Sequence, residues 1–160
     1  MKFQIEYEGE EYLLEWFDDY SDEIKFDSAS GFVFNDDGEF CVVKVHEKKD
    51  WALPGGGVEK EDKILEDTFI RETKEEVDLE LKEIKFLGYM KSFPVKFPDK
   101  INFSARFVAK VKKINPQTID PAYGVIPERR FIKKEEFEKY LSWGENGKFQ
   151  LEKAIKNLKE

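Results

Sequence analysis

A glycine-rich turn that leads straight into a helical pattern is the feature that most constrains how this chain folds. Gly55, Gly56 and Gly57 follow a short extended piece, and glycine backbones can adopt positive φ values and lie close to a ligand or a facing helix. A tight loop alone is the alternative explanation for the three glycines. Residues 62–77 are predicted to be helical, because four side chains recur at steps of four: Leu65, Phe69, Thr73 and Val77.

Strand-like patterns lie on both sides of that helix. Residues 2–16 predict two strands around a turn at 8–10, and residues 30–45 predict a hairpin around the turn formers at 35–38. Further strands are predicted over 81–90, 101–111 and 128–132, and the second of these alternates apolar and mostly polar positions. Two amphipathic helices are predicted over 133–141 and 148–158, separated by a breaker at 143–147.

These elements predict one α+β (mixed α/β) layered domain that spans residues 1–160. It contains roughly eight strands, with one helix midway along the chain and two more at the end. Residues 1–27 are expected to be an N-terminal strand extension, and residues 133–160 to hold the C-terminal helices.

Three carboxylates crowd the end of the middle helix in the stretch RETKEEVD. At about 100° per residue, Glu72 and Glu76 fall along the edge of the apolar stripe, nearly opposite Lys74. Like charges on one helix repel, and a helix C-terminus favours cations. Either the carboxylates form a solvated charged face, or Glu72, Glu75 and Glu76 converge to bind something positive, such as Mg²⁺.

The charge and composition of the chain limit the classes of molecule that it can bind. The net charge of −8 argues against a protein that coats nucleic acids or an anionic membrane surface. A small polyphosphate ligand stays compatible, because a bound divalent metal reverses the local sign. The N-terminal stretch MKFQIEYEGEEY lacks an apolar leader region, and no run approaches the roughly 18 apolar residues of a membrane span.

The single cysteine and the single histidine have ordinary explanations. Cys41 has no internal disulfide partner and is expected to be a buried strand residue, which fits a reducing cytoplasmic location. His46, at the end of the same predicted strand, has no second histidine or cysteine nearby for a zinc site and is expected at the surface.

Residues 53–79, LPGGGVEKEDKILEDTFIRETKEEVDL, resemble the Nudix box, G-x5-E-x7-R-E-U-x-E-E-x-G-U, where U is a bulky aliphatic residue. The flanks are similar to the family as well, from the W-x-L-P-G-G approach to the later ERRFIKKEEF segment. The resemblance implies an α/β/α sandwich with a mixed central sheet and an N-terminal β-hairpin. It also implies Mg²⁺- or Mn²⁺-dependent hydrolysis of a nucleoside diphosphate linked to another moiety.

The resemblance also implies roles for individual residues. Glu75 and Glu76 correspond to the main metal-binding pair of the helix, and Glu72 to a further ligand. Arg71 corresponds to the arginine that orients a catalytic glutamate, here Glu75. The turn Gly55–Gly57 corresponds to the loop beside the substrate, with Gly56 or Gly57 as the first glycine of the box.

Three positions depart from the box. Counting from Gly56 puts Asp62 at the glutamate position but leaves one residue too many before Arg71, whereas counting from Gly57 puts Lys63 there. Asp62 is therefore expected to tether the loop to the helix. The other two are Asp78 in place of a glycine, where aspartate tolerates a left-handed cap, and Thr73 in place of an aliphatic residue.

Two further functions remain open at this point: a non-catalytic Nudix-like module that binds a nucleotide or a protein, and a purely structural domain.

Phe93, Phe97 and Trp143 are candidates for stacking on a nucleobase, although packing explains each of these aromatic residues as well. Glu128 is a candidate for the general base that activates water. The expected partner is a small substrate of the nucleoside-diphosphate type, and a homodimer is compatible with the sequence.

Overall fold

The computed structural model describes residues 1–45 and 50–160. The strands and helices follow one another in this order: β1 (Lys2–Tyr7), β2 (Glu10–Phe17), β3 (Ser28–Phe34), β4 (Phe40–Lys44), β5 (Gly55–Gly57), α1 (Leu65–Val77), β6 (Leu79–Pro94), β7 (Asn102–Ile114), β8 (Glu128–Ile132), α2 (Phe137–Leu141) and α3 (Gly144–Leu158).

The strands form one mixed sheet. Its order is β1-β2-β6-β7-β3-β4-β8, with the short β5 paired to β3. β3 and β7 run parallel, and the other pairs are antiparallel. The predicted N-terminal hairpin is present, and its turn has positive φ at Glu8 (49°) and Gly9 (80°), the twist that two-residue hairpin turns require. The predicted fold class is confirmed.

The helices cover opposite faces of the sheet because side chains alternate along each strand. Val33, Cys41 and Val43 belong to the core cluster that includes Phe69 and Val77 of α1. Phe32, Phe34, Phe40 and Val42 belong to the other cluster, with Phe137, Leu141, Leu151 and Ala154 of α2 and α3. The sheet therefore separates α1 from the C-terminal helices.

Several element boundaries differ from the sequence-based expectation: β6 and β7 extend to Pro94 and Ile114, and all three helices have shifted bounds. Helix α1 begins at Leu65 rather than near Asp62, because the Asp67 carboxylate accepts hydrogen bonds from the N–H groups of Lys63 and Ile64 just ahead of the first turn. The segment expected as a breaker is partly helical, since α3 starts at Gly144, where φ is +59°. The helix expected over 133–141 is shorter, because a 3₁₀ turn occupies Lys134–Glu136.

Cys41 is fully buried, as expected, and burial raises the pKa of its thiol to about 12, so the thiolate is suppressed. His46, expected at the surface, lies outside the described residues. Within the described ranges, none of the helices is both long and apolar enough to cross a membrane.

Candidate functional site

The glycine turn is built by close contacts that exclude larger side chains. Gly55 pairs with Ser30 of β3, and a Cβ on Gly55 would lie 2.2 Å from the Ser30 Cβ. A Cβ on Gly56 would lie 2.4 Å from Cδ of Glu72, so the missing side chain leaves space for that carboxylate. Gly57 is different: a Cβ there would meet nothing closer than 3.8 Å. Two of the three glycines are therefore required by packing, and the third is not.

Arg71 connects the turn, the loop and the helix. Its Nη2 donates to the Gly57 carbonyl at 3.0 Å, and its Nη1 donates to Glu72 Oε1 at 2.9 Å. Nη1 also donates to Glu75 Oε2 at 3.3 Å, which is the (i, i+4) contact expected from the sequence. The hydrogen bond to Asp62, followed by the one to Glu72, raises the pKa of the guanidinium, so Arg71 is permanently charged.

Asp62 makes the tether between loop and helix. Its Oδ1 accepts from Arg71 Nε at 3.0 Å and its Oδ2 from Nη2 at 2.8 Å, a bidentate pair. Thr68 Oγ1 and the Glu59 N–H also donate to Oδ2. The hydrogen bonds from Arg71 are the main reason that the pKa of Asp62 lies far below its usual range. Asp62, rather than Lys63, thus occupies the tethering position, and the loop accommodates its extra residue.

The helix carboxylates point toward the glycine turn. Glu76 is only 9% exposed, and its Oε1 accepts from the Gly55 N–H at 3.3 Å. Burial raises the pKa of Glu72, and the charge of Glu75 adds to that shift. In the part of the chain that the structure describes, no three His, Cys, Asp or Glu side chains lie together closely enough to hold a metal ion.

Sequence reasoning missed Asp120, which lies in the loop between β7 and β8. Its side chain is buried, and its negative charge contributes to the raised pKa of Glu72, which places it near the helix carboxylates. Its backbone forms an isolated bridge to Val125, and its Oδ1 accepts from the Ala122 N–H. No local pattern marks this position, because the contact joins residues that are 48 apart in sequence (120 − 72).

Asp78 fastens the start of that loop to the end of α1. It adopts the expected left-handed conformation, with φ 54° and ψ 39°. Its Oδ2 accepts from the Thr118 N–H at 2.8 Å and its Oδ1 from Thr118 Oγ1 at 2.9 Å. Arg129 adds a second tie by donating to the Val77 and Asn115 carbonyls. The aspartate at the glycine position of the box therefore anchors the loop that carries Asp120.

The remaining candidates are scattered. Glu128 starts β8 and pairs with Arg130, so the structure does not bring it to the helix carboxylates. Phe93 is part of β6 and pairs across strands with Leu13. Phe97 lies in the exposed turn after β6, with the Lys100 ammonium 4.5 Å from its ring. Trp143 alone lines a cavity, on the opposite face of the sheet from α1.

The comparisons with known proteins identify the family. The Nudix domain model matches residues 25–151, most of the 160-residue chain. The chain therefore belongs to the Nudix hydrolase superfamily. Its carboxylate helix and glycine turn fall within the matched segment, whereas β1 and β2 precede it. Comparison with curated protein sequences gives no significant match.

Solved structures agree with this assignment at the level of the fold. A mutant of the Bacillus subtilis pyrophosphohydrolase BsRppH has a TM-score of 0.76 at 19% identity, covering 98% of this chain and 96% of that one. The C. elegans Ap4A hydrolase has a TM-score of 0.57 at 18% identity, covering 84% and 99%. A UDP-X diphosphatase has a TM-score of 0.62 at 18% identity, covering 87% and 66%.

Proposed function

We propose that this protein hydrolyses the pyrophosphate bond of a nucleoside diphosphate linked to another moiety, with Mg²⁺ or Mn²⁺ as the cofactor. The observation that carries the proposal is the cluster around Arg71, which gathers Asp62, Glu72 and Glu75 beside the glycine turn of a Nudix domain. The neighbours named as a pyrophosphohydrolase, an Ap4A hydrolase and a UDP-X diphosphatase support this reaction class.

The donor set fits a hard divalent cation. Glu72, Glu75 and Glu76 offer only carboxylate oxygens, the ligands that Mg²⁺ prefers. Burial raises the pKa of Glu72, and the charges of Glu75 and Asp120 add to that shift. Arg71 Nη1 holds both Glu72 and Glu75 at 2.9 and 3.3 Å, while Glu76 bonds to Gly55. Convergence on a metal therefore requires at least one of these carboxylates to rotate.

We assign each side chain a part in the reaction. When bound, the divalent cation neutralises phosphate oxygens and lowers the pKa of water. Asp62 holds Arg71, and Arg71 in turn holds Glu75 in the position from which it can bind or accept a proton. Gly56 leaves the space that the Glu72 carboxylate occupies. Asp120, whose charge acts on Glu72, supplies a further carboxylate from the loop between β7 and β8.

A second candidate function is a Nudix module that binds nucleotides without hydrolysing them. It is favoured by one observation, namely that Arg71 already occupies Glu72 and Glu75 and no metal-binding trio is formed among the described residues. In that case, Arg71 and its carboxylates would serve only to fix the loop.

The test is turnover of a substrate panel with Mg²⁺ or Mn²⁺: a nucleotide sugar, a nucleoside triphosphate and a dinucleoside polyphosphate. We expect Glu76→Gln to lower turnover by about 100-fold or more, since changes to mere partners of metal ligands already cost about 10- to 100-fold. Glu66→Gln is the matched control, because it makes the same charge change in the first turn of the same helix.

Equal turnover by the wild type and Glu76→Gln would refute the role assigned to this carboxylate. Nucleotide binding measured by calorimetry, with no turnover of any panel member under either metal, would establish the binding module instead.

A further inference from the structure

A cavity of about 1050 Å³ lies on the sheet face opposite α1. Its walls come from β1, from the inner strands and from the C-terminal helices, and its volume is large enough for a small-molecule ligand. The wall that β1 supplies precedes residue 25, where the family match begins.

The cavity contains a buried cation. Arg106 is 9% exposed, its Nε donates to Gln150 Oε1 at 2.7 Å, and its Nη1 donates to Ser30 Oγ. Burial lowers the pKa of the guanidinium to about 10. No carboxylate among the described residues pairs with it, although an unpaired buried charge is costly. A guanidinium has five N–H donors, so those not used by Gln150 and Ser30 remain for a ligand.

Two amide side chains of α3 extend the hydrogen-bond network of the guanidinium. Gln150 uses its Oε1 to accept from Arg106 and its Nε2 to donate to Asn146 Oδ1 at 2.8 Å. This leaves the Asn146 amide nitrogen as the group available toward the cavity. Flat walls flank these donors, since the Trp143 ring centroid lies 5.5 Å from Arg106 Cζ and Trp51 also lines the cavity. The interior therefore suits a planar ring whose edge carries adjacent acceptors.

The rim has the opposite charge. Glu6, Glu8 and Asp50 line the cavity and are exposed, so the rim carries three carboxylates while the interior holds one guanidinium. A phosphate or carboxylate group that entered the cavity would have to pass these rim carboxylates and would be repelled by them. A neutral ring is not repelled, and it can still satisfy the donors of Arg106.

The cavity adjoins the Nudix box through one strand pair. Ser30, which accepts from Arg106, pairs with Gly55 of β5, and the Gly55 N–H donates to Glu76. The guanidinium and the carboxylate helix are therefore linked through two paired residues, Ser30 and Gly55, which places the cavity near the box.

We propose that this cavity binds a 6-oxopurine base, guanine or hypoxanthine, with its O6 and N7 atoms accepting hydrogen bonds from Arg106. Arginine matches this pair of acceptors in bidentate fashion. Adenine presents an amino donor in place of O6, which would face the guanidinium donors. The assignment rests on the proposed function in that the base belongs to the nucleoside diphosphate substrate.

The test is metal-free calorimetry of the wild-type protein with GMP, IMP, AMP and 7-deaza-GMP, which lacks the N7 acceptor. Because only the ligand changes, the fold is not at risk. We expect GMP and IMP to bind about tenfold more tightly than AMP, and 7-deaza-GMP to lose most of that advantage. Arg106→Lys keeps the charge but loses the planar pair of guanidinium donors, and it should bring GMP and AMP to similar affinities.

Equal affinity for GMP and AMP, an unchanged affinity for 7-deaza-GMP, or no binding of GMP and IMP at millimolar concentration would each overturn the proposal. These outcomes are separate from hydrolysis. Selective GMP binding with no turnover of any panel member would refute the proposed function and leave this inference standing. If guanosine and adenosine substrates bound equally and were turned over equally, this inference would be refuted and the proposed function would stand.

Discussion

Replacing Asp62 with asparagine tests whether this residue tethers the box loop to α1. The substitution keeps the size of the side chain but removes its charge. It also puts an NH₂ group in place of one carboxylate oxygen, although each of the two oxygens now accepts at least one hydrogen bond. Asp62 accepts from Arg71 at 3.0 and 2.8 Å, and its side chain is only 4% exposed. The Arg71 side chain, by contrast, is 20% exposed.

The expected loss in the free energy of unfolding is about 2 kcal/mol at pH 7. Hydrogen bonds to a charged group contribute about 1.5–3 kcal/mol each, and removing one partner of a buried pair costs about 3–5 kcal/mol. The loss is smaller here because Arg71 is partly solvated and keeps Glu72 and Glu75 as partners. For a domain of this size, that loss corresponds to a fall in Tm of about 4–8 °C.

The assay is urea unfolding of the wild type and Asp62→Asn across pH 2–7, with Glu61→Gln, an exposed neighbour, as the matched control. Arg71 depresses the pKa of Asp62 in the folded state. The stabilisation is therefore complete above the unfolded pKa of about 3.9 and is lost as the pH falls below it. A difference below about 0.5 kcal/mol at pH 7, or one that persists unchanged at pH 2, would refute this reasoning.

Two further substitutions test the turn and the loop. Gly56→Ala would put a Cβ 2.4 Å from Cδ of Glu72 and displace that carboxylate, so we expect turnover to fall by about 100-fold. Gly57→Ala has no contact closer than 3.8 Å and should retain turnover; equal effects of the two would contradict the steric argument. Asp78→Ala would lose both bonds to Thr118 and strain a left-handed residue, which should lower stability by about 1–3 kcal/mol in urea unfolding. Thr118→Val should lose less, and wild-type stability of Asp78→Ala would exclude the anchoring role.

Periodicity in the sequence predicted which way the main elements face. The angular positions on α1 separate Glu76, which is buried, from Lys74, which is exposed, as the structure shows. Alternation did the same for β7, where Ala105, Phe107 and Ala109 share one core cluster. The face that a side chain occupies depends only on its position within its own helix or strand, so the local sequence pattern is sufficient to predict it.

Contacts between distant segments could not be predicted in this way. Arg106 and Gln150 are 44 residues apart, and nothing near either one indicates that a buried guanidinium meets an amide. Glu128 is a different case, because Arg130 lies only two positions later on the same strand and pairs with its carboxylate. Asp62 was predicted as the tether only because the Nudix box spacing showed one extra residue in the loop before Arg71.

The sheet that separates α1 from the cavity divides the molecule into two compartments, one on each face of the sheet. The residues of the two compartments can change in sequence at different rates. The carboxylates and Arg71 share one compartment, and Arg106 with the aromatic walls shares the other, with Ser30 and Gly55 at the junction. Under the function proposed above, substitutions among the cavity residues, including those on the N-terminal hairpin, would change which molecules are accepted and leave the carboxylate helix unaltered. A lineage of such chains would conserve its helix and diversify its opposite face.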